Sequence, residues 1–224
     1  MNFGKAILIT FLCMGCFKSN SVFAQTPNIQ LARLKYSGGG DWYSSKTALK
    51  NLARFCNTKI KTNLREEEVI VEVGSEQLYN FPFVFMTGHG NVVFNESESL
   101  NLRNYLKAGG FLHICDNYGM DIFIRREMKK VFPELEFKQV PFSHPIYHQN
   151  YQFTNGLPKV HEHDGKPAVG YGLFFEGRLV CFYDYECDLG NGWEDQELYN
   201  DPPEIREKAL QMGANLVQFA FTLQ

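Results

Sequence analysis

Phe83-Val84-Phe85-Met86-Thr87-Gly88-His89-Gly90-Asn91 and Phe111-Leu112-His113-Ile114-Cys115-Asp116-Asn117-Tyr118-Gly119 are the two stretches whose reading decides the fold. Each is an apolar run that breaks into a polar cluster containing glycine. Such runs read as strands buried on both faces, the pattern of a parallel sheet. A third pair precedes them, where residues 31–36 run into Ser37-Gly38-Gly39-Gly40-Asp41-Trp42-Tyr43. Parallel strands would bring all three clusters to the carboxyl edge of one sheet. Open α/β sheets bind ligands in the crevice outside that edge.

Working outward, residues 28–36 read as the first strand. Ser44 or Ser45 can cap a helix whose apolar side is Ala48, Leu49, Leu52, Ala53 and Phe55. Residues 69–73 are a short strand. Asn95 and Glu98 have the spacing of a capping box, and Gly109-Gly110 ends the helix they open. A helix over 121–132 stops at Pro133. Strand and helix alternate at short spacing, which predicts a parallel sheet with helices on both faces. Further on, residues 171–175 and 178–185 flank Glu176-Gly177, a turn signal that predicts a C-terminal antiparallel hairpin. Residues 188–203 read as a polar loop and 204–222 as a closing helix.

Lys5, an apolar run over 6–16 too short to span a bilayer, and Val22-Phe23-Ala24 before Gln25 predict an export signal over 1–24. Cys16 follows Gly15, but Cys13 stands where a lipoprotein signal would carry leucine, so ordinary cleavage is favoured. The expected product is one periplasmic or secreted domain over 25–224, with no transmembrane segment. Lys5 and Lys18 are two of the 22 basic residues; without them 20 basic face 25 acidic residues, a balance of −5. No basic stripe is present, which argues against nucleic acid. Cys56, Cys115, Cys181 and Cys187 remain. An oxidising compartment allows disulfides, yet Cys56 and Cys181 fall in apolar patterns and read as buried thiols.

The residues resemble the bacterial family called domain of unknown function 4159 across nearly the whole chain from Ile29. The resemblance rests on Ala32-Arg33-Leu34-Lys35-Tyr36 with Gly39-Gly40-Asp41-Trp42-Tyr43, on Leu78 with Phe81-Pro82-Phe83, and on Thr87-Gly88-His89-Gly90. It continues through Leu106-Lys107-Ala108-Gly109-Gly110-Phe111-Leu112-His113, Asp116-Asn117-Tyr118-Gly119 and Phe123-Arg125-Arg126-Glu127-Met128-Lys129. Its last blocks are Leu157-Pro158-Lys159-Val160-His161-Glu162-His163-Asp164-Gly165 and Asp188-Leu189-Gly190-Asn191-Gly192-Trp193-Glu194-Asp195. The resemblance implies a flavodoxin-like sheet of the class I glutamine amidotransferase-like group. It implies no activity, since function lives in sites and not in folds. Amidotransferases place a nucleophilic cysteine in a Gly-x-Cys-x-Gly elbow. Here Ile114-Cys115-Asp116-Asn117-Tyr118 lacks both glycines.

Several residues are candidates for a site. His89 and Asp116 follow strands and could do acid–base work. Asp41, Trp42, Tyr43, Asn117, Tyr118 and Trp193 place aromatic rings beside polar groups, which suits a polar ligand such as a carbohydrate. His161, His163 and Asp164 have ligand types for a divalent metal, though without the His-Glu-x-x-His spacing of zinc hydrolases. The run Asp184-Tyr185-Glu186-Cys187-Asp188 fails the calcium-loop pattern, because Leu189 stands where glycine is needed. Gly38-Gly39-Gly40 lacks the phosphate-loop fingerprints. The favoured function is binding a small polar ligand or a cell-envelope protein. A hydrolase using the same Asp and His residues, with or without a divalent metal, is the alternative. His161, His163 and Asp184 are expected in one concave region with Asp116 and His89.

Overall fold

The computed structural model describes residues 29–222; the export-signal segment lies outside the described residues. In chain order the elements are β1 (Ala32–Lys35), α1 (Ala48–Lys59), β2 (Val69–Glu72), β3 (Phe83–His89), α2 (Glu96–Lys107), β4 (Phe111–Tyr118), α3 (Asp121–Val131), β5 (Lys138–Gln139), β6 (Val169–Phe175), β7 (Arg178–Tyr185), α4 (Leu189–Trp193), α5 (Gln196–Tyr199) and α6 (Pro203–Thr222). They build one seven-stranded sheet in the order β2-β1-β3-β4-β7-β6-β5. The first five positions run parallel, from β2 to β7. With β7 as the fifth strand, this is the flavodoxin-like order. The hairpin turns at Glu176-Gly177, and β6 and β5 extend the sheet antiparallel. Among the described residues no helix is long and apolar enough to cross a membrane.

Alternation along each buried strand divides the core in two. Phe83, Phe85, Phe111 and Cys115 join the cluster under α1, α4 and α6, while Val84, Met86, Leu112 and Ile114 join the one under α2 and α3. Each fully buried large apolar side chain contributes about 1.5–3 kcal/mol relative to exposure.

Two local readings change. The capping box at Asn95 is present, with Glu98 N–H donating to Asn95 and Asn95 N–H to Glu98. At α1, neither Ser44 nor Ser45 caps. Thr47 precedes the helix, and its N–H donates to Glu194 Oε1 at 3.0 Å, a partner from far along the chain. The expected polar loop over 188–203 holds α4 and α5, and every residue of α4 is buried.

Candidate functional site

The three polar clusters do share the carboxyl edge, and side chains tie them together. Asp41 after β1 accepts from the backbone N–H of His89, and His89 Nδ1 lies 2.9 Å from Asp41 Oδ2. This bridge spans the β1–β3 boundary, where the strand order reverses. Gly40 N–H donates to the Asn91 carbonyl, and Asn91 donates to the Gly38 carbonyl. The approach is close enough that a Cβ on Gly88 would lie 2.2 Å from the Tyr36 hydroxyl. Asn117 joins the next pair of loops. Its amide donates to Ser44 Oγ and Ser45 Oγ, at 3.0 and 3.3 Å, and its Oδ1 accepts from Thr87 Oγ1. Asn117 is buried and fastens loops together.

The crevice lies beyond β4. It measures about 280 Å³ and is lined by Asp116, Tyr118, Gly119, Asp121, Ile122, His163, Asp164, Lys166, Tyr185 and Glu186. β4 and the start of α3 form one wall. The strap between the short 3₁₀ turn at Pro145–Tyr147 and β6 forms the other, through His163, Asp164 and Lys166. Tyr118 is 51% exposed. Its hydroxyl donates to Asp164 Oδ1 at 3.1 Å, and its ring stacks on His163 with centroids 4.9 Å apart. Lys166 Nζ reaches Asp164 Oδ2 at 3.3 Å and Tyr185 Oη at 2.9 Å. Hydrogen bonds from Lys166 and Tyr118 hold the Asp164 carboxyl below its usual range, and bonding to Tyr185 and Asp164 raises Lys166.

Asp116 is buried at the foot of the crevice. Its Oδ1 accepts from Met120 N–H and its Oδ2 from the Tyr183 hydroxyl, both at 3.0 Å. Burial raises its pKa despite those bonds. One oxygen serves the turn into α3 and the other Tyr183 of β7, so Asp116 shapes the crevice floor.

Other expected site residues lie elsewhere. Asp41, Trp42, Tyr43 and His89 do not line the crevice; they sit on the β1 and β3 loops of the same edge. Trp193 corrects the ligand-binding expectation. It is fully buried, its Nε1 donates to the Ala209 carbonyl at 2.8 Å, and its ring packs on Phe85 and His113. Asp184 lies beneath the edge, fully buried, 2.7 Å from His113 Nε2. Burial pushes the Asp184 carboxyl well up and His113 down to about 3.

The metal expectation for His161, His163 and Asp164 is also corrected. Asp164 turns to Tyr118 and Lys166, while both histidines face Asp188. Among the described residues no group of three or more His, Cys, Asp or Glu is disposed to hold a metal ion. Sequence reasoning gave no role to Lys166, Asp121, Ile122 or Asp201. It weighed Asp188 and Glu186 as site residues only in a failed calcium pattern.

Cys56, Cys115, Cys181 and Cys187 are all unpaired and buried. Burial drives the Cys115 thiol well above its ordinary value, and Gly190 N–H donates to its sulfur at 3.2 Å. A nucleophile needs the opposite environment. None of these four thiols should react with Ellman's reagent within minutes in the folded protein, and all four should react in denaturant. Rapid labelling of Cys115 in the native state would show that its surroundings open.

No curated protein is similar to the chain in sequence. The family model described as Domain of unknown function (DUF4159) matches residues 30–221. The match takes in every strand and all six helices but for the last residue of α6, together with both walls of the crevice: the chain belongs to the DUF4159 family.

Proposed function

We propose that this is an exported domain that binds a small polar ligand, a carbohydrate being the class that suits it best, in the crevice beyond β4. The observation that carries this reading is Tyr118. The residue is half exposed at the crevice, yet its ring is fixed by His163 on one face and by Asp164 at its hydroxyl. A pre-set aromatic ring beside Asp121, Asp164, Glu186 and Lys166 suits a ligand with apolar faces and a hydroxyl rim. Titration calorimetry against a panel of soluble saccharides tests it. A binder should be found, and Tyr118→Ala should weaken it on the order of tenfold, about 1.4 kcal/mol of ring contact. Affinity unchanged by both Tyr118→Ala and Asp164→Ala would remove the crevice from consideration. Export is checked by N-terminal sequencing of protein from its native host. A chain starting at Gln25 is expected, and an intact Met1 would overturn it.

Hydrolysis is the alternative, and the His89–Asp41 pair favours it. Asp41 fixes Nδ1 and leaves Nε2 to accept a proton, the arrangement of a general base. Turnover of any ester or glycoside that falls at least a hundredfold in His89→Gln would establish it.

A further inference from the structure

Two histidines of the strap converge on one oxygen atom. His161 Nδ1 lies 3.1 Å and His163 Nε2 2.7 Å from Oδ2 of Asp188. The opposite nitrogen of His161, Nε2, lies 3.1 Å from Oδ1 of Asp201. A neutral imidazole carries a single N–H, whereas an ionised carboxylate only accepts. His161 therefore cannot satisfy both contacts in its neutral form. Only the imidazolium has an N–H for each carboxylate.

We propose that His161 is a proton-held latch. While protonated it clamps the strap to the start of α4 and to the loop before α6, and so fixes the wall of the crevice; as the pH rises it lets go. Val160 N–H donates to the Cys187 carbonyl beside the latch, and His163 and Asp164, two and three residues on, line the crevice. The inference stands on the bonding geometry and does not depend on what the crevice binds.

The surroundings favour the charged ring. From the strap, His163 shares the Asp188 oxygen. From the position just before α4 comes Asp188, fully buried, and from α4 Asn191, 3.5 Å from His161 Nδ1. From α5, Tyr199 sits edge-on with its centroid 4.9 Å away. From the loop before α6 comes Asp201. Behind Asp188 lie Asp184, Cys115 and Cys187, which burial pushes toward their uncharged forms. Asp188 Oδ1 is buried and has no partner among the described residues, so the bonds at Oδ2 carry its stabilisation. Hydrogen bonding to Asp188 raises the His161 pKa above 6.5. A raised histidine stabilises the fold fully below the unfolded value of about 6.5. That contribution is lost as pH climbs through the folded value.

Long-range proton–nitrogen NMR of histidine-labelled protein between pH 5 and 9 reads the ring directly. Hydrogen exchange over residues 159–166 reads the strap. Both His161 nitrogens should be protonated at pH 6, with a midpoint above 6.5. Above that midpoint strap exchange should quicken on the order of tenfold beyond intrinsic base catalysis, the effect of one lost charge-assisted hydrogen bond. Asp201→Asn should lower the midpoint, and His161→Gln should flatten the pH dependence. A ring with a single N–H at pH 6, or an exchange step that survives in folded His161→Gln, would overturn the latch. One equivalent of metal in untagged protein that disappears in His161→Gln would overturn it too, by making the ring a ligand.

Discussion

Arg33→Met should lower the unfolding free energy by about 3 kcal/mol in urea denaturation, at the lower end for breaking a buried ion pair because Glu68 is partly exposed. Arg33 is 1% exposed in the middle of β1. Its Nε and Nη2 donate to the Glu68 carboxylate at 2.8–3.1 Å, and its Nη groups also donate to the carbonyls of Ser44 and Ser45. The guanidinium lies over Phe85, 5.6 Å from the ring centroid. Methionine would fill much of the volume but leave a carboxylate and two carbonyls without their donor. The effect should reach the site edge, because Ser45 holds a left-handed φ of 54° and its hydroxyl bonds Asn191. Glu68→Gln, which keeps an acceptor, should cost less than half as much. A loss under about 1 kcal/mol for Arg33→Met would mean that water replaces all these bonds.

Trp193→Ala should be more damaging still, at about 4 kcal/mol, the usual range for deleting a buried tryptophan being about 3–5 kcal/mol. The indole ends α4 and fills the space between the sheet and α6. A Cβ on Gly213 would lie 2.8 Å from its ring, so α6 packs against it without clearance. Its Nε1–H bond to Ala209 would be lost with the ring. Trp193→Phe should recover most of the packing and fail to recover that bond. Trp42 is the second tryptophan, so the measurement belongs in a Trp42→Phe background. If Trp193→Ala cost under about 2 kcal/mol, α4 would have to collapse freely into the gap.

The central sheet was legible because its signals are local. β3 and β4 are unbroken apolar runs, Asn95 and Glu98 cap each other three residues apart, and Glu176-Gly177 marks the hairpin. Their polar ends could be assigned to one edge for the same reason. α4 was not legible, because its glycines imitate loop punctuation. In fact a Cβ on Gly192 would lie 2.5 Å from the Ala209 side chain, and one on Gly190 would lie 2.9 Å from the Phe85 ring. Trp193, read as a ligand platform, shows the same confusion, since an aromatic residue among acids looks alike in core and crevice. The partners of His161 and His163 lie 25 to 40 residues away. No spacing rule reaches that far, and the nearer Asp164 took the place of Asp188 in the reading. The α1 cap failed similarly, because Glu194 arrives only through tertiary packing.

The position of β7 has a consequence for how the molecule is made. Among the described residues β7 is the last strand in chain order, yet it lies between β4 and β6 in the finished sheet. Until β7 pairs with it, β4 keeps a row of unpaired amides and carbonyls along one side. Until α4 and α6 follow, the Phe83–Phe85–Phe111 face has only α1 to cover it. Nascent chains halted before Arg178 should therefore associate through that bare strand, as exposed edges do. Once the hairpin zips onto β4, that route closes. Closure of the sheet thus waits on the hairpin and the helix that follows it.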